Sequence, residues 1–284
     1  MKVAEALRRG AGTLRLAGID DAEIEAEILL RHALGLSRAH LLLAHRDDLD
    51  ADGEREFLAL LRQRATHVPC AYLTGLRGFY DIELAVAPGV LIPRPETEHV
   101  VEVAREVAGQ MLTCRDRITL VDVGTGSGAI ALALAKHLPA VRVLATDCSE
   151  AALAMAGLNA RRLRLAGRVT LLSGDLLDPV HEPVDIVTAN LPYVPSAVIP
   201  TLAPEVRDHE PRQALDGGPD GLRVIGRLLR QASHRLTDHG AIVLEIGHDQ
   251  AAALVAEASE ALPGSVVEIR RDLAGLDRVA IIRP

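Results

Sequence analysis

A chain of 284 residues, 49% of them apolar, is long enough for two domains and can bury a sizeable core, but with no tryptophan and 2% aromatics that core must be built from Ala, Leu, Val and Ile. A net charge of -8 and a pI near 5.8 argue against a protein that grips bare nucleic acid by its phosphates. No apolar run reaches the length of a membrane span, Met1 to Gly10 lacks a signal-peptide core, and Cys70, Cys114 and Cys148 show no paired spacing, so a cytosolic protein with free thiols and no cysteine metal site is expected.

From Val3 to about Arg64 the apolar residues recur at three and four, as at Ala22, Ile24, Ile28 and Leu29 and again at Phe57, Leu58 and Leu61. This is helical periodicity. Asp20 or Asp21 is placed to cap the second helix, Gly35 to end it, and Asp50 or Asp52 to cap the last long one. The spacing predicts a bundle of four or five helices over residues 1–67. His32, His40, His45 and His67 share no metal spacing, so the bundle, with no site of its own, reads as a recognition module.

Val68 to Gly75 and Gly78 to Val86 read as two short strands turned by Gly75 and Gly78, a β-hairpin linker within residues 68–90. In the stretch Leu91 to Glu98, Pro93 and Pro95 stand on either side of Arg94. They forbid helix until Pro95, which suits a first helical turn. Ile92, Pro93, Arg94 and Pro95 therefore form either a rigid connection or a stiff lip over a site.

From Ile118 onward apolar runs alternate with helical stretches, the sign of a parallel sheet covered on both faces. Strands are expected at Ile118 to Val123, Val141 to Thr146, Val169 to Leu172, Asp185 to Ala189, Ala241 to Glu245, Ser265 to Ile269 and Val279 to Ile282. The last two have no helix between them and should pair antiparallel at an edge. The expected fold class is α/β: a Rossmann-like seven-stranded domain over residues 91–284, its sheet mostly parallel with the last strand antiparallel, preceded by the helical bundle and the hairpin.

Strand one ends in Asp122-Val123-Gly124-Thr125-Gly126-Ser127-Gly128 and runs into the helix that starts at Ala129. Glycines let the backbone approach a ligand, and a helix amino end attracts a carboxylate or phosphate. There is no lysine for a P-loop, and glycines at every second position do not match the nicotinamide spacing. An acid before such a loop suits S-adenosylmethionine, which carries positive amino and sulfonium groups. Asp147, ending strand two, is placed to take the ribose hydroxyls, with Cys148 beside it. Asp175, followed by Leu176, is placed to reach the adenine edge after strand three. The expected cofactor site thus runs from Asp122 and Gly124 through Thr125, Gly126 and Gly128 to Asp147, Cys148, Asp175 and Leu176, and includes Asn190.

Asn190-Leu191-Pro192-Tyr193 closes strand four. Asn190 offers an acceptor and a donor pair on a short arm, Pro192 stiffens the turn, and Tyr193 supplies a flat face with a hydroxyl at its rim. Such a corner can hold a planar, amide-like nitrogen by its hydrogens. Asn190 and Tyr193 are the candidate catalytic residues, and the whole tetrapeptide the candidate substrate contact.

At this point the chain resembles the HemK/PrmC protein-(glutamine-N5) methyltransferases, which modify peptide chain release factors. The resemblance covers nearly the whole chain. It rests on Tyr72-Leu73-Thr74-Gly75, Ile92-Pro93-Arg94-Pro95-Glu96-Thr97-Glu98, the Asp122 to Gly128 loop and the Asn190 tetrapeptide, then on Glu210-Pro211, Ala214 to Leu222, Glu245-Ile246-Gly247 and Gln250. It implies methyl transfer from S-adenosylmethionine to the glutamine side-chain amide of a Gly-Gly-Gln motif, with release factors as partners, no membrane, no direct nucleic-acid partner and a monomeric enzyme. It also implies that Asn190 and the Leu191 carbonyl hold the amide, with Tyr193 packing on its plane and the Ile92 to Pro95 lip closing over it. The family usually has Asn-Pro-Pro-Tyr; Leu191 replaces the first proline, which removes one restraint on φ. An adenine-N6 methyltransferase presents the same amine geometry but needs a base-flipping surface and a phosphate grip. A methyl-donor-binding scaffold without catalysis has no need of Asn190 and Tyr193.

Overall fold

Helical periodicity in the first residues becomes five helices: α1 (Val3–Leu16), α2 (Ala22–Leu34), α3 (Arg38–Leu43), α4 (Ala51–Ala65) and α5 (Cys70–Thr74). The computed structural model describes residues 1–284. It divides into a helical unit, Met1–Leu76 with Ala203–His209, and an α/β unit, Arg77–Leu202 with Glu210–Pro284. Leu14, Leu29, Leu30, Phe57 and Leu61 form the buried centre of the helical unit. Asp50 caps α4 by accepting the Gly53 N–H at 2.6 Å, whereas Asp21 stands at the start of α2 without a side-chain cap bond.

The hairpin differs from the sequence expectation. Residues 70–74 are helical because Pro69 opens a single turn that Gly75, at φ 71, closes in the left-handed region. The strands are β1 (Leu76–Phe79) and β2 (Ile82–Ala85), and the turn lies at Tyr80 and Asp81. Tyr80 takes a positive φ of 55, held there by its N–H donating to Glu98 Oε1 at 2.9 Å. Phe79, Ile82 and Leu84 are buried with the α/β core, so the hairpin from Arg77 belongs to that unit, and the boundary falls after Leu76 rather than after residues 67 and 90.

The α/β unit continues with α6 (Glu98–Leu112), β3 (Ile118–Val123), α7 (Ala129–His137), β4 (Val141–Asp147), α8 (Glu150–Arg162), β5 (Val169–Ser173), β6 (Val184–Ala189) and β7 (Val194–Pro195). After α9 (Pro204–His209), which belongs to the helical unit, come β8 (Asp216–Gly218), α10 (Arg223–Ala232), β9 (Leu236–Glu245), α11 (Ala251–Ala261), β10 (Val266–Arg271) and β11 (Asp277–Arg283). The main sheet has seven strands in the order β10-β11-β9-β6-β3-β4-β5. β3 pairs in parallel with both β4 and β6, and β11 is antiparallel to β9 and β10. All seven strands expected from the sequence are present. β7 and β8 form a separate parallel pair that no hydrophobic run announced.

The strand order reverses between β3 and β6, and ligands in such sheets bind outside the carboxyl ends at that reversal. Register makes the juxtaposition concrete: Val123 pairs with Ala189, so the Gly124 loop and Asn190 emerge side by side. No helix is long and apolar enough to cross a membrane.

Within the helical unit, the buried Arg64 of α4 bridges Glu25 of α2 and Glu205 of α9. Its guanidinium is 3% exposed while Glu205 is 39% exposed, so removing the arginine strands one half-wet and one nearly dry carboxylate. Arg64→Ala should lower stability to urea by about 2 kcal/mol, short of the range for fully buried pairs because solvent screens Glu205. A change under about 0.5 kcal/mol, the scale of an ordinary surface substitution, would show that the bridge does not tie Ala203–His209 to the bundle.

Candidate active site

A cavity of about 640 Å³ opens at the carboxyl ends of β3, β4, β5 and β6. Gly124, Thr125, Gly126, Asp147, Cys148, Asp175, Leu176, Asn190, Leu191, Pro192 and Pro93 all line it. The glycine loop is fixed by two backbone bonds, Gly124 and Thr125 N–H both donating to the Thr146 carbonyl, at 2.9 and 3.0 Å. Gly126 takes φ 57 and faces open space, so a side chain there would be strained rather than crowded.

Asp147 accepts the Gly126 N–H with one carboxylate oxygen and the Ser149 N–H with the other, each at 2.9 Å. This fixes the carboxylate while leaving lone pairs for a diol. Asp175 lies across from it, ion-paired with Arg227 of α10. Burial, then the charge of Asp147, pushes the Cys148 thiol up, and its sulfur accepts from Gln213 at 3.1 Å. These residues fit S-adenosylmethionine on the chemistry of the donor set: a carboxylate for ribose hydroxyls, a second near an amine edge, and a glycine loop open to a close approach.

Asp122 does not line the cavity. It is 1% exposed, and its oxygens accept the Thr125 hydroxyl at 2.7 Å and the Thr188 hydroxyl at 3.0 Å. It lies behind the glycine loop, tied to Thr125. Gly128 also lies behind the wall, as the N-cap of α7 packed against Leu132.

The lip is narrower than expected. Pro93 lines the cavity with Gly89, Val90 and Leu91, but Ile92 is 4% exposed and its N–H donates to Glu210 Oε2 at 3.3 Å. Arg94 is paired with the same Glu210, and Pro95 opens the turn that leads into α6. These three residues do not line the cavity: Glu210 holds Ile92 and Arg94, and Pro95 belongs to the turn before α6.

Asn190 reaches into the cavity with its Nδ2 donating to Thr97 Oγ1 at 2.8 Å. Thr97 in turn donates to Glu245 Oε2 at 2.6 Å, and the Tyr193 hydroxyl donates to Glu245 Oε1 at 3.1 Å. Tyr193 is therefore turned to Glu245 and does not line the cavity, because a buried carboxylate needs a second donor. Burial pushes the Glu245 carboxyl up, while Thr97, Tyr193 and the charge of Arg278 pull it down. Burial, then Glu245, pushes the Tyr193 phenol well up.

The turn after Asn190 is braced from beneath. Gln250 Nε2 donates to the carbonyls of Tyr193 at 2.9 Å and Asp220 at 3.3 Å, and its Oε1 accepts the Gly247 N–H at 2.8 Å. A Cβ at Gly217 would stand 2.6 Å from the Pro192 carbonyl, and one at Gly221 would stand 2.2 Å from that of Tyr193. Thr97, Glu210 and Arg227 were given no individual role from the sequence, although Thr97 and Glu210 lie in segments that carry the family resemblance.

Burial holds the Asp122 carboxyl up, to about 7 from its ordinary 3.8. Between those values the folded chain keeps a proton that the unfolded chain has released, so stability falls as pH rises through the window and levels off above it. Asp122→Asn preserves the shape and removes the titration. Its stability should be flatter between pH 4 and 7, by up to roughly 1.4 kcal/mol per pH unit, in urea melts taken across that range. Parallel curves for the two proteins would place the Asp122 pKa back in the usual carboxylate range.

Two family models match the chain, one described as the PrmC N-terminal domain over residues 5–75 and one as a methyltransferase domain over residues 120–209. The release factor glutamine methyltransferase of Moorella thermoacetica is 43% identical over 279 residues, covering 98% of this chain and 97% of the relative. Those of Rhodopirellula baltica and Mycolicibacterium smegmatis are each 40% identical, covering 93% and 96% of this chain and 90% and 94% of their own. Among solved structures, the hMettl16 catalytic domain in complex with MAT2A 3'UTR hairpin 6 matches with a TM-score of 0.58 at 16% identity, over 77% of this chain and 80% of that one. That likeness is of fold alone and agrees with a Rossmann-like methyltransferase sheet. With identity at this level over nearly its full length, the chain belongs to the release factor glutamine methyltransferase family.

Proposed function

We propose that this chain methylates the side-chain amide nitrogen, N5, of the glutamine in the Gly-Gly-Gln motif of class I peptide chain release factors, with S-adenosylmethionine as methyl donor, and so modulates translation termination. The observation that carries this reading is that Asn190 and Leu191 line the same cavity as Gly126 and Asp147. One wall is chemically suited to a nucleoside and the other to an amide.

When bound, S-adenosylmethionine supplies an electrophilic methyl group on a sulfonium sulfur. Asp147 would hold the ribose, Asp175 and Leu176 would flank the adenine, and the Gly124 to Gly126 backbone would admit the remainder. The glutamine nitrogen is a poor nucleophile because its lone pair is delocalised into its carbonyl. Asn190 Oδ1 and the Leu191 carbonyl each accept one of its hydrogens and turn the face of the nitrogen toward the methyl group. Both acceptors gain strength as positive charge builds on nitrogen, so the stabilisation grows toward the transition state. The surplus proton leaves to water after transfer, which removes the need for a strong base. Pro93 and its neighbours shield the glutamine stem, and the helical unit, which contributes no residue to the cavity wall, reads the release factor as a folded protein. The enzyme works as a cytoplasmic monomer on this reading.

The direct test is mass spectrometry of a purified release factor after incubation with the protein and the methyl donor. One methyl should appear, mapped to the Gly-Gly-Gln glutamine. An unmodified glutamine, or a methyl elsewhere, overturns the substrate assignment.

Two variants separate the walls of the cavity. Asn190→Ala should lower turnover about a hundredfold, the scale for one positioned polar contact, with methyl-donor affinity nearly unchanged. Asp147→Ala should weaken donor affinity by roughly thirtyfold to a thousandfold, as for loss of a charge-assisted pair worth about 2 to 4 kcal/mol. Calorimetry that finds the same donor affinity in wild type and Asp147→Ala would remove Asp147 from the ribose.

A further inference from the structure

We infer that Thr97 and Glu245 are positioning residues that decide which way the Asn190 amide faces, and that this orientation, rather than the presence of Asn190 alone, makes the corner competent. The inference deepens the proposed methyl transfer and rests on it. An asparagine amide has nearly the same shape when turned over, so packing cannot choose between presenting its oxygen and presenting its NH2 to the cavity. The choice has to be made by hydrogen-bond polarity.

The polarity is set one step at a time from the far end. Glu245 ends β9, beside the end of β6, since Leu244 pairs with Ala189. It is 1% exposed, and both of its oxygens accept, one from Thr97 and one from Tyr193. Thr97 has a single hydroxyl hydrogen, and that hydrogen goes to Glu245 Oε2 at 2.6 Å. Thr97 Oγ1 then has only lone pairs left for its other neighbour. Asn190 must meet it with Nδ2, as it does at 2.8 Å, and Oδ1 is left for the cavity. The Tyr193 hydroxyl occupies the second Glu245 oxygen at 3.1 Å, so the carboxylate is held on both sides and cannot swing away from Thr97.

None of these atoms except those of Asn190 is needed to touch substrate. Glu245 and Tyr193 stand off the cavity wall; Thr97 lines it, but its hydroxyl is consumed between Glu245 and Asn190. With the relay gone, the Asn190 amide is free to turn its NH2 toward the substrate NH2, two donors face to face, and the nitrogen loses its aim. A protein substrate gripped over a wide surface still binds.

Thr97→Val keeps the shape and removes the hydroxyl, whereas Thr97→Ser keeps the hydroxyl. On a release factor substrate, Thr97→Val should lose about tenfold or more in kcat, in keeping with the cost of misaiming a reacting group. KM, methyl-donor affinity by calorimetry and thermal midpoint should stay close to wild type, and Thr97→Ser should recover kcat to within about threefold, since the same hydrogen-bond polarity is restored. Wild-type kcat in Thr97→Val, or equal losses in the Val and Ser variants, would overturn the relay. Asn190→Ala measured alongside keeps the two ideas apart: if it is impaired while Thr97→Val is not, the Asn190 reading stands and only the orienting role falls, and if neither is impaired the reading of the corner itself fails.

Discussion

The parallel pairing of Val123 with Ala189 is the constraint from which the site follows. Two central strands that start at the same end of a sheet also finish together, and the loops that leave them must share the space beyond. One loop is rich in glycine and the other turns on Asn190, so a cradle for the donor and a clamp for an amide arise within a few ångströms of strand geometry. β4 adds Asp147, one residue past the Thr146 that pairs with Val123. β9 adds Glu245, one residue past the Leu244 that pairs with Ala189. Asp147, Asn190 and Glu245 are thus strand-end positions, and the apolar strands behind them supply the rigidity.

The same chemical device appears twice around this centre. Asp122 and Glu245 are acidic side chains that are each 1% exposed, and burying such a group is costly unless donors meet it. In both places two hydroxyls do so: Thr125 and Thr188 for Asp122, Thr97 and Tyr193 for Glu245. Hydroxyls suit the task because each gives one hydrogen and still accepts, so direction is passed onward. On the donor side this fixes Thr125 and with it the glycine loop; on the substrate side it fixes Asn190. The buried acids therefore set the geometry of the two walls without entering the cavity.

Much of this was legible in the sequence, and the rest was hidden for physical reasons. The five parallel strands were readable because buried parallel strands are continuous apolar runs, and β10 and β11 because two further apolar runs follow with no helix between them. Asp147 and Asn190 stood out because each is a polar residue directly after such a run, and Asp175 because it follows one within three residues. An acid before a glycine loop looks the same in sequence whether it faces the cavity or the loop, and burial places Asp122 behind the loop. The Tyr193 ring suits an amide plane as well as its hydroxyl suits an acid, and the hydrogen bond to Glu245 is not visible in the sequence. The helix at Cys70 to Thr74 was missed because five residues are too few to show periodicity, and Gly75 ends a helix as readily as it turns a hairpin. Contacts such as Asn190 to Thr97 span 93 positions, and no local pattern encodes them.

Leu191 shows how the chain accommodates its departure from the family's usual proline. The lost ring restraint is replaced from two directions. Pro192 holds the residue before it in extended backbone, which is the conformation a proline at that place would favour. The Leu191 side chain, 4% exposed, enters the cluster that contains Val123, Leu176 and Ile246, and burial of a leucine contributes about 1.5 to 3 kcal/mol. Its Cδ2 lies 3.0 Å from where a Cβ on Gly124 would stand, so the side chain fills the notch that the glycine leaves open. A proline would stiffen the substrate turn by itself, whereas this leucine stiffens it by packing against the glycine loop. The carbonyl of residue 191 and the first glycine of the donor cradle are thereby fixed against each other, and movement of either wall is resisted by the other.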